Sequence, residues 1–177
     1  MKDKINLKGL VTIKQGDEVI VDAVENKFVD GCLIHLRGSL IYENNDTDIN
    51  NSNFDIYLGT DTTTSTTHDM ASLVSPIGSG DGTSANNTSV ETESEISTGI
   101  WEGKFEATWN SGTVSGTVGE LALFAQSLDN SGAGSGNFSS SKKMRNRLSV
   151  ADSEFSSFDI DTSQSLTVEW IIRMEFE

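Results

Sequence analysis

The sequence predicts a mainly β protein: an antiparallel β-sandwich or jelly roll carrying one short amphipathic helix in its N-terminal half. Three observations lead there. In "SLTVEWIIRMEFE", Leu166, Val168, Trp170, Ile172, Met174 and Phe176 share one parity while Thr167, Glu169, Arg173 and Glu175 share the other. "IWEGKFEATW" repeats the pattern with Trp101, Phe105, Ala107 and Trp109, and a period of two marks strands with one buried face. Roughly eight or nine such segments are separated by Gly, Ser, Thr, Asn and Asp, the residues that build turns, and only one segment has a helical period.

The elements follow in order. Residues 5–22 alternate on either side of Gly16-Asp17 and predict a hairpin. Val29, Leu33, Leu36 and Leu40 then recur at steps of four, three and four behind Asp30, a suitable N-cap, which predicts a helix over residues 30–41. Residues 42–53 read as a polar loop, and Phe54, Ile56 and Leu58 as a short strand ended by Gly59. The Thr-rich run 60–68 reads as a solvent-facing loop, followed by one helical turn in "HDMASLVSP" before Pro76. Residues 78–99 read as a long polar loop with an edge strand near Val90. Trp101–Trp109 and "VGELALFAQ" supply two core strands, and the Gly/Ser tract 127–141 reads as a linker or surface loop. "NRLSVADSEF", "SFDID" and the strand ending at Phe176 complete a single domain over residues 1–177.

Composition narrows the function. Twelve Lys and Arg against 27 Asp and Glu give a formal charge of -15, a field that repels phosphate backbones and anionic lipid, so neither nucleic acid nor membrane is an expected partner. Such an acidic excess also suits a salt-loving source. Cys32 is the only cysteine, which rules out an intrachain disulfide or a thiolate metal cluster. "MKDKINLKGL" lacks the apolar stretch of a signal peptide, and no apolar run approaches the roughly 18 residues of a membrane span. The expected route is synthesis in the cytoplasm.

Candidate chemistry is sparse. His35 lies by the apolar stripe of the expected helix and reads as structural. His68 stands beside Asp69, a pair that in principle orients a general base, but no G-x-S-x-G elbow accompanies it and the plainer reading is a loop histidine next to a capping Asp. Asp46, Asp48 and Asn50 open like a calcium loop, yet Asn51 stands where the turn glycine belongs and Tyr57 where the bidentate Glu belongs, leaving only a loosely held cation. The glycines at 78, 80, 82 and at 132, 134, 136 lack the Gly-Lys-Ser/Thr of a phosphate loop, and no cofactor is expected. Lys142, Lys143, Arg145 and Arg147 place four of the twelve basic residues within six positions, which reads either as a solvated edge or as a docking patch for an acidic neighbour, another copy of the chain included. Asn45, Asn50, Asn86, Asn87 and Asn137 stand in N-x-S/T context, at a frequency the composition explains.

The order of the segments carries one further signal. "LKGLVTIKQGDEVIVDAVENKFVDGCLIHL", "FDIYLGTDTTTSTTHDMASL", "WEGKFEATWNSGTVSGTVGELALFAQ" and "NRLSVADSEF" followed by "SQSLTVEWIIRMEF" resemble a widespread group of small structural proteins of tailed phages and archaeal tailed viruses. The resemblance falls on Gly59, Thr60, Thr62, Asp69 and Leu73, on Phe105, Glu120, Leu123 and Phe124, and on Arg147, Leu166, Val168 and Trp170. Asp61 departs from it, standing where the group has a second glycine, and the loops at 78–99 and 127–141 are long. It implies a non-catalytic virion component, a homo-oligomer decorating the capsid exterior as a turret and contacting the major capsid protein, or else a tail or baseplate part contacting tail proteins. A glycan-binding β-sandwich for host attachment is the alternative of another class. It needs an exposed ring among Trp101, Trp109 and Trp170, whose alternation predicts core positions for all of them.

Overall fold

A computed structural model describes residues 5–29, 54–77, 88–128 and 138–176. Among them the strands are β1 (Ile5–Gln15), β2 (Glu18–Phe28), β3 (Phe54–Gly59), β4 (Thr88–Ser97), β5 (Ile100–Trp109), β6 (Thr117–Val118), β7 (Glu120–Leu128), β8 (Phe138–Ser149), β9 (Phe158–Asp159) and β10 (Leu166–Phe176). Eight of these form one antiparallel sheet in the order β3-β7-β8-β2-β1-β10-β5-β4, and β6 pairs separately with β9. The sheet curls until β3, at one edge, lies alongside β4 and β5 at the other. The helix expected over 30–41, with His35, lies outside the described residues, as do the loop at 42–53 and Asp46, Asp48 and Asn50.

The 5–22 hairpin forms as its pattern requires, with Gly16 at φ +55 in the turn between β1 and β2. β10 owes its strict alternation to its place in the middle of the sheet. It pairs with β1 on one side and β5 on the other, so Val11, Trp170 and Phe105 form one rung and Ile13, Val168 and Ala107 the next. These six join Val21, Ile56, Leu58, Trp109, Leu121, Leu123, Leu148 and Leu166 in the main core. The opposite face of the same strands is charged. Lys104 Nζ lies 2.5 Å from Glu169, Arg173 donates to Glu102 at 2.6 Å, and Thr108 and Thr167 hydroxyls meet at 3.1 Å. Cross-strand pairs of this kind contribute about 0.2–1 kcal/mol each, enough to favour the register.

Several expectations need correction. The edge strand expected near Val90 is β4, ten residues long and with Val90 in register with Phe105, so the loop read over 78–99 is much shorter than expected; Ser, Thr and Glu in an edge strand resemble loop. The 127–141 tract is shorter than it reads, because β7 extends to Leu128 and pairs there with Phe138 of β8. No helical turn forms in 68–76. A turn at His68-Asp69 is closed by the Met70 amide on the Thr67 carbonyl at 3.3 Å, and Pro76 bridges back to Gly59. Trp109 and Trp170 are core residues, but Trp101 is 43% exposed, because the core ends before its rung of the sheet.

β2 changes neighbours part-way. It pairs with β1 as far as Asn26 opposite Gly9, then with β8 through Lys27 and Phe28. A buried amide pair marks the crossover, with Asn146 Nδ2 donating to Asn26 Oδ1 at 3.1 Å. Gly9 admits the Asn26 side chain there, since a Cβ at Gly9 would stand 2.2 Å from Asn26 Oδ1.

Candidate functional site

Strands β3, β7 and β8 are covered on both faces. Ile56, Leu58, Leu121, Leu123 and Leu148 point into the main core, whereas Tyr57, Ala122, Phe124 and Met144 form a second apolar layer with Val29 and Leu73. Tyr57 and Phe124 meet edge to face at 4.8 Å, and the Tyr57 hydroxyl donates to Asp55 at 2.9 Å. What covers this layer is the Thr-rich segment 60–77, which folds over the sheet as a strap. Its return is anchored on the free edge of β3, with the Thr60 amide on the Ser75 carbonyl and the Ile77 amide on the Leu58 carbonyl, both at 2.8 Å.

Beneath the strap lies an ion pair removed from solvent. Glu120 and Arg147 are both fully buried, and Glu120 Oε2 accepts from Arg147 Nε at 2.9 Å and Nη2 at 2.7 Å. Arg147 Nη1 donates to the Thr64 carbonyl at 2.8 Å and to the Thr66 hydroxyl at 3.0 Å, and Nη2 also reaches Asp61 at 3.3 Å. Those contacts engage all the N–H groups a guanidinium has. Glu120 in turn accepts the amides of Val74 at 3.2 Å and Ser75 at 2.8 Å, so one acid and one base hold both ends of the strap. The close approach requires small backbone neighbours. A Cβ on Gly59 would stand 2.5 Å from Glu120 Oε1, and one on Gly119 would stand 2.5 Å from the Asp61 carbonyl oxygen.

Asp61 organises the entry to the strap. Its carboxylate accepts the Thr64 amide at 2.9 Å and the Thr63 hydroxyl at 2.9 Å, the local turn chemistry for which Asp is suited. Burial pushes its pKa up, but these hydrogen bonds outweigh burial and hold it below the usual carboxylate value. A second hold comes from the 3-10 turn at Val150–Asp152. Asp152 accepts the Thr66 amide at 3.0 Å and Lys27 Nζ at 2.6 Å, and despite partial burial these bonds lower its pKa. Glu154 beside it goes the other way. Burial first, and the neighbouring Asp152 charge second, push it up to about 7, against the Ser149 amide it accepts at 2.9 Å.

Opposite shifts predict a stability optimum. Glu154 titrates at 4.5 in a free chain and about 7 when folded, so its ionisation costs stability progressively between those values. Asp61 and Asp152 are lowered, so what they contribute is lost as pH falls through and below 3.8. Urea titrations should find maximal stability between about pH 4 and 5, with a decline toward neutrality on the order of 1–2 kcal/mol once screening of the half-exposed Glu154 is included. Glu154→Gln should flatten that decline and leave the acid limb in place.

The sequence-derived candidates are placed as follows. Arg145 and Arg147 are buried, so Arg147 is no docking residue: β8 is covered on both faces where they stand. Lys143 and Lys142 pair through their backbones with Ala125 and Gln126. His68 is exposed on the strap, and Asp69 beside it accepts the Thr67 hydroxyl at 2.6 Å, which lowers its pKa. Among the described residues no group of three or more His, Cys, Asp or Glu is arranged to hold a metal ion. Linear reading missed the Glu120–Arg147 clamp. Its signal was Glu120 sharing the parity of Ala122 and Phe124, since a charge on an apolar parity needs a buried partner. Comparison with protein-family models, with curated proteins and with solved structures found no match.

Proposed function

We propose that the protein is a non-enzymatic structural subunit of a tailed-virus particle, an oligomer on the capsid exterior in which the curled sheet closes as a sandwich or jelly roll. The observation that carries this reading is the meeting of residues far apart in the chain. Gly59, Thr60, Leu73, Glu120 and Arg147 are positions on which the resemblance to small virion proteins falls, and all of them belong to the clamped strap or border it. A polar loop held by a buried ion pair, on a sheet whose outer face is an ion-pair ladder, suits a subunit that must keep its shape through many identical contacts. Repetition over a particle turns weak contacts into firm attachment.

Copy number tests this. Antibody raised against the chain should label purified particles, and a quantitative gel should give hundreds of copies per particle for a capsid decoration. A few or a few dozen would move the protein to the vertex, tail or baseplate, and absence from particles would refute a virion role. One observation favours the glycan-binding alternative, the 43% exposure of Trp101. Glycans that stack on it should blue-shift and protect the exposed fraction of the emission, while Trp109 and Trp170 contribute a buried, unresponsive remainder.

A further inference from the structure

The interior face of the sheet continues as an apolar row beyond the point where the core covers it. From the buried rung of Val11, Trp170 and Phe105, the same parity leads to Gly9, Ile172 and Gly103, then to Leu7, Met174 and Trp101, and finally to Ile5 and Phe176. Exposure rises along it: Trp170 is fully buried, Ile172 and Met174 are half-buried, and Phe176 reaches 51% beside Ile5 at 50%. β2 has by then left β1 for β8, so the end of the β1-β10-β5 sheet continues without it. Single exposed apolar residues are ordinary, but strict alternation ending in Phe and Trp on adjacent rungs makes a contiguous surface of the kind that partners cover.

Charge selects the occupant. Among the described residues, Lys8, Arg173 and Lys104 at this end are engaged across the back of the same strands: Lys8 with Glu175 at 3.4 Å, Arg173 with Glu102, and Lys104 with Glu169 at 2.5 Å. Glu95, exposed and opposite Trp101, stands on the apolar face itself. A second copy would bring the same acids and a further formal charge of -15, which opposes self-docking here. We infer that this row is a docking surface for a cationic amphipathic segment of another protein, with an apolar side chain seated between Trp101 and Phe176 and a Lys or Arg over the Trp101 ring and against Glu95. An indole face and a nearby carboxylate are what such a cation prefers. The inference stands on the fold alone and does not depend on the virion reading.

Three synthetic peptides of equal length test it on the full chain by calorimetry: alternating Lys/Leu, alternating Glu/Leu and alternating Lys/Ser. The Lys/Leu peptide should bind, blue-shift tryptophan emission and retain measurable affinity at 1 M salt, where the Debye length is about 3 Å. Phe176→Ser and Trp101→Ser should each weaken it at least about tenfold, a change of about 1.4 kcal/mol. Both sites are exposed enough for the variants to fold, which an unchanged urea midpoint would verify. Equal binding of the Lys/Ser peptide, or indifference to both variants, would reduce the effect to net charge and overturn the inference. Concentration-dependent self-association abolished by Phe176→Ser, or capture by phosphatidylcholine vesicles in preference to the Lys/Leu peptide, would overturn it in favour of a second copy or a lipid surface.

Discussion

Glu120→Ala should destabilise the fold by about 3–5 kcal/mol, because it leaves the Arg147 charge buried with the more distant Asp61 as its remaining ion-pair partner among the described residues. The loss has two parts. Arg147 forfeits the bonds at 2.9 and 2.7 Å that fix its plane, and the Val74 and Ser75 amides forfeit their acceptor, freeing the return end of the strap. Arg147→Ala should cost a similar amount and free the other end, at Thr64 and Thr66. Replacing both partners by apolar residues, Glu120→Leu with Arg147→Met, should cost less than either single change, since no unpaired charge then remains. Urea unfolding gives the energies, and hydrogen exchange at Thr66 and Ser75 locates the damage. A single-variant loss below about 1 kcal/mol, in the range of a surface ion pair, would show that the clamp is not desolvated as described.

This clamp also marks the boundary of what the chain reveals when read linearly. Strands of period two were legible wherever one face is buried and the other wet, as in β1, β5 and β10, because alternation is the direct consequence of that environment. Arg147 was misread for the opposite reason. Its neighbours Lys142, Lys143 and Arg145 make a basic run in sequence, yet in a strand covered on both faces the side chains of 144–149 are all buried, and charge adjacency no longer means a charged surface. The strap is the solvent-facing loop its Thr and Ser predict, with Thr60, Thr62, Thr63, Ser65, Thr67 and His68 exposed, but its anchoring was not legible, because that lies in backbone amides that end on Asp61, Asp152 and Glu120. Trp101 shows a third limit: alternation assigns a face, but not where the cover over that face ends.

The two faces of that limit can be weighed against each other in the same sheet. Trp170→Ala should cost about 3–5 kcal/mol, since the ring is fully buried between Val11 and Phe105 on the strand that joins β1 to β5, and its removal leaves a cavity that two flanking strands cannot close. Trp101→Ala, four residues along the same interior parity but 43% exposed, should cost less than about 1 kcal/mol. Trp170→Phe separates packing from polarity. The buried Trp170 indole N–H has no acceptor among the described residues, so a phenyl ring gives up volume but no hydrogen bond to them, and the loss should fall well below that of alanine. If Trp170→Phe proved as damaging as Trp170→Ala, the indole N–H would have to be bonded, and the packing of the central rung would differ from that described. If Trp101→Ala matched Trp170→Ala, the core would extend to the Leu7, Met174 and Trp101 rung, and the apolar row would be covered within the chain itself.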